Sequence, residues 1–123
     1  MGSRILIVED DPLVAMMLED YLELLGHQPV ACADGIDSAL AELASSDIDA
    51  AIIDVYLANG ETSGPIAEKL AAGAIPFLIS TGGFIAERAP VFADRPVLMK
   101  PFTAKSLNQA ITGLVGSAHD RGM

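Results

Sequence analysis

The sequence predicts a single α/β domain built on a doubly wound parallel sheet. Short apolar runs alternate with segments whose apolar residues recur at helical spacing, a pattern typical of βαβ units. The chain has 123 residues, which is enough to bury one core and too few for a second folded module. We therefore expect one domain over residues 1–123, with a core from about residue 4 to residue 115 and a tail over residues 117–123.

The first strand and helix are predicted from an apolar run and the acidic turn that follows it. Residues 5–8 are continuously apolar, as expected for a strand buried on both faces, and residues 9–12 end the run. Asp11 is suited to cap the next helix, Pro12 to open it and Gly26 to end it. The apolar series expected on this helix comprises Leu13, Met16, Met17, Tyr21, Leu24 and Leu25.

The remaining elements continue the alternation. A weaker strand, a helix and a third strand are predicted at residues 29–33, 36–43 and 50–53, and the third strand ends in Asp54. After a loop come a third helix, a fourth strand, one or two helical turns, a fifth strand and a last helix capped by Thr103. Their expected ranges are 65–73, 76–80, 84–89, 97–99 and 103–115.

Polar side chains stand at the carboxyl ends of four of these strands. Glu9 and Asp10 follow the first strand, Asp54 ends the third, Thr81 closes the fourth and Lys100 follows the fifth. Ligands of open α/β sheets bind outside the carboxyl ends of the strands, so we expect these side chains to meet at one edge.

A cluster of three carboxylates needs a cation. Two carboxylates about 4 Å apart repel by roughly 4 kcal/mol at an effective dielectric constant near 20. Mg²⁺ is the expected partner, because it prefers oxygen ligands and often bridges carboxylates to phosphate oxygens. A carboxylate can also attack phosphorus and form an acyl phosphate. Lys100 and the Thr81 hydroxyl would then hold the other phosphoryl oxygens.

In this combination the residues resemble the receiver domains of two-component response regulators. The resemblance extends from Arg4 to about Val115. It implies a flavodoxin-like sheet of five parallel strands in the order 2-1-3-4-5, with five helices of which the fourth is shortened. It also implies that Asp54 is the phosphoacceptor, assisted by Lys100 and Thr81. The implied ligands of Mg²⁺ are Glu9, Asp10, Asp54 and the backbone carbonyl of Tyr56.

Two segments are similar to one subgroup, the alphaproteobacterial stand-alone receivers with a Phe-Ala-Thr-Gly-Gly/Tyr-type motif. These segments are residues 79–83 and residues 95–102, which include a Lys-Pro pair whose peptide bond is usually cis in the family. Ile79 stands where the motif has Phe. Val97 stands where many receivers carry an aromatic residue that changes rotamer on activation.

The resemblance implies a signalling phosphoacceptor rather than an enzyme with a free substrate. Its phosphate would come from a histidine kinase or a histidine phosphotransfer protein, and its output would be contact with an unknown protein or service as a phosphate shuttle or sink. No apolar run is long enough for a membrane span or a signal peptide, so a cytoplasmic location is expected. The net charge of −10 disfavours nucleic acid as a partner.

Three other functions fit parts of the pattern. A pseudo-receiver would keep the fold as an interaction module and never take phosphate. A phosphohydrolase with an aspartate nucleophile would carry a second acid two residues past it, where this chain has Tyr56. Flavin binding would need a hydroxyl- or glycine-rich phosphate loop after the first strand, where this chain has acids.

Overall fold

The fold is a parallel sheet with helices on both faces. The computed structural model describes residues 2–57, 60–82, 90–92 and 95–121. The strands are β1 (Arg4–Val8), β2 (Gln28–Ala33), β3 (Ala50–Asp54), β4 (Phe77–Thr81) and β5 (Val97–Met99), and the α-helices in the described part are α1 (Pro12–Leu24), α2 (Ile36–Ser45), α3 (Gly64–Ala72) and α4 (Ala104–Arg121). All neighbouring strands pair in parallel, in the order β2-β1-β3-β4-β5.

The predicted fold class and strand order are confirmed. The helical turns expected at residues 84–89 lie outside the described residues, and a short 3-10 helix follows at Pro90–Phe92. The last predicted helix is α4, which continues to Arg121, past residue 117 where the sequence places the start of a tail. Among the described residues, no helix combines the length and the apolar character needed to cross a bilayer.

Alternating side chains of the strands supply two cores, one on each face of the sheet. Ile5 and Ile7 of β1 pack towards α1 and α4, whereas Leu6 and Val8 pack towards α2 and α3. All four side chains are at most 1% exposed, so β1 is buried on both faces as its apolar run predicts. Because β1 and β3 are central, the residues that end them are held in place by packing from both sides.

The turn after β1 is set by the start of α1. Asp11 is the N-cap, and its Oδ1 accepts hydrogen bonds from the amides of Leu13 at 2.9 Å and Val14 at 3.5 Å. Pro12 occupies the first helical turn, where its missing N–H is not needed. The predicted capping role of Asp11 is confirmed. The cap fixes the path of the chain that carries Glu9 and Asp10 to the edge of the sheet.

The buried face of α1 differs from the predicted one. The side chains that α1 buries are Ala15, Leu18 and Leu22, whereas Leu13, Met16 and Leu24 are 62%, 50% and 77% exposed. Two apolar series run along this helix at the same spacing, since small Ala15 begins a second one. The sequence pattern predicted the helix correctly, and Tyr21 and Leu25 of the predicted series do pack against the core. The prediction was wrong for Leu13, Met16 and Leu24, because sheet packing decides between the two series.

At the amino ends of β1 and β2, the chain before β1 contacts the imidazole of His27. The amide of Ser3 donates to Nδ1 of His27 at 3.1 Å, and the amide of Gln28 donates back to the carbonyl of Ser3 at 2.9 Å. Gly26 makes the turn before His27 with a φ of +87°, a conformation that other residues rarely adopt. Burial lowers the pKa of His27 below its ordinary value of 6.5.

Acidification should therefore weaken the contact between Ser3 and His27 and lower the stability of the fold. The unfolded chain binds a proton on His27 more readily than the folded protein does, so the contribution of His27 to stability is lost as the pH falls below about 6.5. We expect the free energy of unfolding, measured by urea denaturation between about pH 7 and pH 5.5, to fall in the wild type relative to His27→Asn. The asparagine keeps an acceptor but does not titrate, and parallel pH profiles for the two proteins would contradict this account.

Candidate functional site

The ends of β1, β3 and β5 bring one ammonium and two buried carboxylates together. Lys100 Nζ lies 2.8 Å from Glu9 Oε1 and 2.9 Å from Asp54 Oδ2. The side chains of Glu9 and Asp54 are only 2% and 12% exposed, and that of Lys100 is 22% exposed. Hydrogen bonds between charged groups are strongest where water is excluded, so this bridge orders the centre of the site.

Each of the two buried carboxylates is also held by a backbone amide. Glu9 Oε2 accepts a hydrogen bond from the amide of Asp11 at 3.2 Å, and Asp54 Oδ1 accepts one from the amide of Tyr56 at 3.2 Å. In both cases the donor lies two residues after the carboxylate, in the turn that leaves the strand. One oxygen of each carboxylate thus faces the backbone, and the other faces Lys100.

The acidic residues form a set that suits a hard divalent cation. One carboxylate oxygen from each of Glu9, Asp10 and Asp54 lies within 4.8 Å of the other two. Two ligands of one Mg²⁺ lie at most about 4.2 Å apart, twice the usual bond of about 2.1 Å, so small side-chain shifts would suffice. Three carboxylates beside one ammonium also leave an excess of negative charge. The donor chemistry and the spacing therefore fit Mg²⁺.

Thr81 and Tyr56 are joined to this cluster through the backbone. Thr81 is 3% exposed, and its carbonyl accepts a hydrogen bond from the amide of Lys100 at 2.7 Å. Tyr56 is 40% exposed and forms an antiparallel bridge with Thr62. The peptide bond between Lys100 and Pro101 is cis. The structure thus groups Glu9, Asp10, Asp54 and Lys100 in one cluster, and it connects Thr81 to Lys100 through the backbone.

Burial and ion pairing have opposite effects on the pKa values of Lys100 and Glu9. Burial is the largest influence on Lys100 and alone would lower its pKa, but the hydrogen bonds to Glu9 and Asp54 outweigh it and hold the pKa above the ordinary value. Burial raises the pKa of the Glu9 carboxyl, against the lowering effect of Lys100. Lys100 therefore stays charged, and the ammonium of Lys100 partly offsets the effect of burial on Glu9.

Sequence reasoning missed one contact of this site. It assigned Lys100 to phosphoryl oxygens and did not predict its bond to Glu9, which lies 91 positions away along the chain. A strand-end lysine gives no local sign of which carboxylate it will contact. The excess of acids at neighbouring strand ends was the only signal. It predicted a cation but did not indicate that Lys100 would supply a positive charge to Glu9.

The sequence and structure of the chain are similar to those of known proteins. No family model matches the chain. The chain is similar to SdrG from Sphingomonas melonis Fr1, at 51% identity over 93% of this chain and 97% of that one, and the structures superpose with a TM-score of 0.82. A structure of the BeF3-activated conformation of SdrG from Pseudomonas melonis Fr1 gives a TM-score of 0.79 at 50% identity, covering 94% and 99% of the two chains.

Two further likenesses are more distant. The receiver (REC) domain of the PhyR response regulator from Erythrobacter litoralis has 25% identity and a TM-score of 0.78, over 93% of this chain and 90% of that one. A curated relative, a probable transcriptional regulator (ycf27) from Cyanophora paradoxa, is 29% identical over 117 residues. The match covers 92% of this chain and 48% of that protein, so the chain spans about half the length of this relative.

The bridge predicts how charge substitutions change stability in metal-free buffer. Lys100→Met leaves two buried carboxylates without their cation, and we expect it to lower the free energy of unfolding by about 2 to 4 kcal/mol. Adding Asp54→Asn to that variant should recover part of the loss, because it removes one of the opposed charges. The control Lys105→Met alters an exposed lysine and should change stability by less than about 0.5 kcal/mol. Equal denaturant midpoints for Lys100→Met and wild type would contradict the bridge.

Proposed function

Since the chain belongs to the receiver domains of response regulators, by its likeness to SdrG and to the PhyR REC domain, we propose that Asp54 accepts a phosphoryl group. Receiver domains are signalling phosphoacceptors rather than classical enzymes. The observation that carries the proposal is the pair of buried carboxylates bridged by Lys100 at the carboxyl edge of the sheet. It combines a nucleophile with a cation for the incoming charge.

The proposed reaction is a phosphoryl transfer from a phosphohistidine. An oxygen of the Asp54 carboxylate attacks phosphorus, a P–O bond forms and the P–N bond of the donor breaks. The electron pair of that bond returns to the imidazole nitrogen, which takes a proton from solvent. The product is an acyl phosphate on Asp54. The amide of Tyr56 keeps the carboxylate oriented for this attack through its bond to Oδ1.

In the proposed phosphorylated state Lys100 and Thr81 hold the phosphoryl oxygens. Esterification removes the negative charge of the Asp54 carboxyl, so the Lys100 ammonium is drawn to the phosphoryl group instead. The Thr81 hydroxyl, on the next strand, donates to another phosphoryl oxygen. The amide of Lys100 is bonded to the carbonyl of Thr81, so a movement of Thr81 is transmitted to Lys100 and the reverse.

Glu9, Asp10, Asp54 and the backbone carbonyl of Tyr56 would hold Mg²⁺ in this proposal. The ion would offset the negative charge that the acidic cluster and the phosphoryl group bring together. Asp11 is excluded from the proposed ligand set, because its side chain is used to cap α1. In this short turn, Asp11 therefore has a structural role, and Glu9 and Asp10 are the proposed metal ligands.

The proposed partners are proteins. The phosphate donor is a histidine kinase or a histidine phosphotransfer protein, and the output is a change in contact with a downstream protein, or return of the phosphate as a shuttle or sink. A net charge of −10 disfavours direct contact with nucleic acid, and we propose that the protein acts in the cytoplasm.

Intact mass spectrometry after incubation with acetyl phosphate tests this function. We expect the mass of one phosphoryl group to be added in the presence of Mg²⁺, and the addition to disappear in EDTA and in Asp54→Asn. The control Asp37→Asn makes the same chemical change at an exposed carboxylate of α2 and should be phosphorylated like the wild type.

Two results would contradict the proposal. An adduct that persists in Asp54→Asn would place the modification elsewhere. Failure to form an adduct with acetyl phosphate, and also with phosphorylated histidine kinases or phosphotransfer proteins, would favour a pseudo-receiver that acts only by binding. Steady release of phosphate from free phosphoesters would instead indicate the aspartate-nucleophile phosphohydrolase.

A further inference from the structure

Ser80 presents a buried hydroxyl that the proposed reaction does not use. The residue is 0% exposed, and within the described part of the chain its Oγ has no hydrogen-bond partner. Buried hydroxyls in folded proteins are nearly always bonded, because an unpartnered one loses its contacts with water and gains none in return. The Ser80 hydroxyl is therefore expected to weaken the resting fold, and a bonding partner in another state of the protein would offset that cost.

The position of Ser80 places this hydroxyl beside the phosphoacceptor. In the parallel pairing of β3 with β4, Ser80 lies directly opposite Asp54. Two residues earlier, Ile52 and Leu78 are also opposite each other, and both pack in the core under α1 and α4. Side chains alternate along strands, so Asp54 and Ser80 share this face of the sheet. Neighbouring strands are about 4.8 Å apart, which brings the two side chains within reach of each other.

In the resting protein the Asp54 carboxylate is already engaged. Oδ2 contacts Lys100 at 2.9 Å and Oδ1 accepts from the amide of Tyr56 at 3.2 Å. Once the carboxyl carries a phosphoryl group, it is no longer an anion and cannot hold the ammonium against the more negative phosphoryl oxygens. A carboxyl oxygen then loses its strongest donor inside a buried site.

We propose that Ser80 is a positioning residue whose hydroxyl donates to the Asp54 carboxyl group when phosphorylation draws Lys100 away. This inference rests on the proposed function. Ser80 acts through Asp54 and does not touch the phosphoryl group. Its unpartnered hydroxyl destabilises the resting state and stabilises the phosphorylated one, so it shifts the balance between the two in favour of the modified protein.

Beryllofluoride with Mg²⁺ provides the test, because it mimics a phosphoryl group on a carboxylate and binds reversibly. Thermal unfolding of Ser80→Ala is compared with that of Ser63→Ala and wild type, with and without BeF3⁻. Ser63 is the matched control: it is also 0% exposed with no partner for its Oγ among the described residues, but it precedes α3 and is not paired with Asp54. Without ligand, both variants should unfold at or above the wild-type temperature.

The rise in unfolding temperature that BeF3⁻ causes distinguishes the role of Ser80 from that of Ser63. We expect Ser80→Ala to bind BeF3⁻ about threefold to tenfold more weakly than wild type, as the loss of one hydrogen bond predicts, and Ser63→Ala to bind it normally. Equal affinity in Ser80→Ala and wild type would overturn the inference and leave the proposed function intact. If BeF3⁻ with Mg²⁺ fails to stabilise the wild type, the proposed function falls and this inference falls with it.

Discussion

The ammonium of Lys100 lies between Glu9 and Asp54, and the order of the site depends on this contact. Two carboxylates buried at the ends of adjacent strands repel each other, and burial adds to the cost of keeping them ionised. The lysine offsets both penalties with one charge. One negative charge remains after this pairing, and Asp10 adds a second, which keeps the cluster receptive to a divalent cation.

The sheet explains why a lysine is suited to this task. Strand β4 lies between β5 and β3, so Lys100 must reach across about 9.6 Å, twice the usual strand spacing, to contact Asp54. Its flexible four-carbon stem covers that span and ends in a compact charge. The added length of Glu9 over an aspartate helps it to meet the same ammonium from β1. The length and charge of Lys100 therefore connect β5, an edge strand, to the interior strands β1 and β3.

Much of this arrangement could be predicted from the sequence, because parallel strands place their last residues at one edge. The apolar runs predicted the strands, and the residues that end those runs predicted the cluster around Asp54. The buried face of α1 was predicted only in part: Tyr21 and Leu25 pack against the core, but Leu13 is exposed, since Leu13 and Ala15 begin competing apolar series and only the sheet selects one. Two features depend on strand order and register, which no local pattern encodes. They are the bond from Lys100 to Glu9 and the Ser80 hydroxyl, which has no partner among the described residues.

A titration with Mg²⁺ followed by backbone ¹H–¹⁵N NMR would show whether the cation binds at the cluster that Lys100 bridges, because it reports each residue separately. The amides of Asp11 and Tyr56 donate to the two buried carboxylates, and Lys100 bridges them. We expect the largest saturable shifts at these three residues. Shifts that are confined to the exposed acids of α1 and α2, or that grow without saturation over the whole acidic surface, would contradict this expectation.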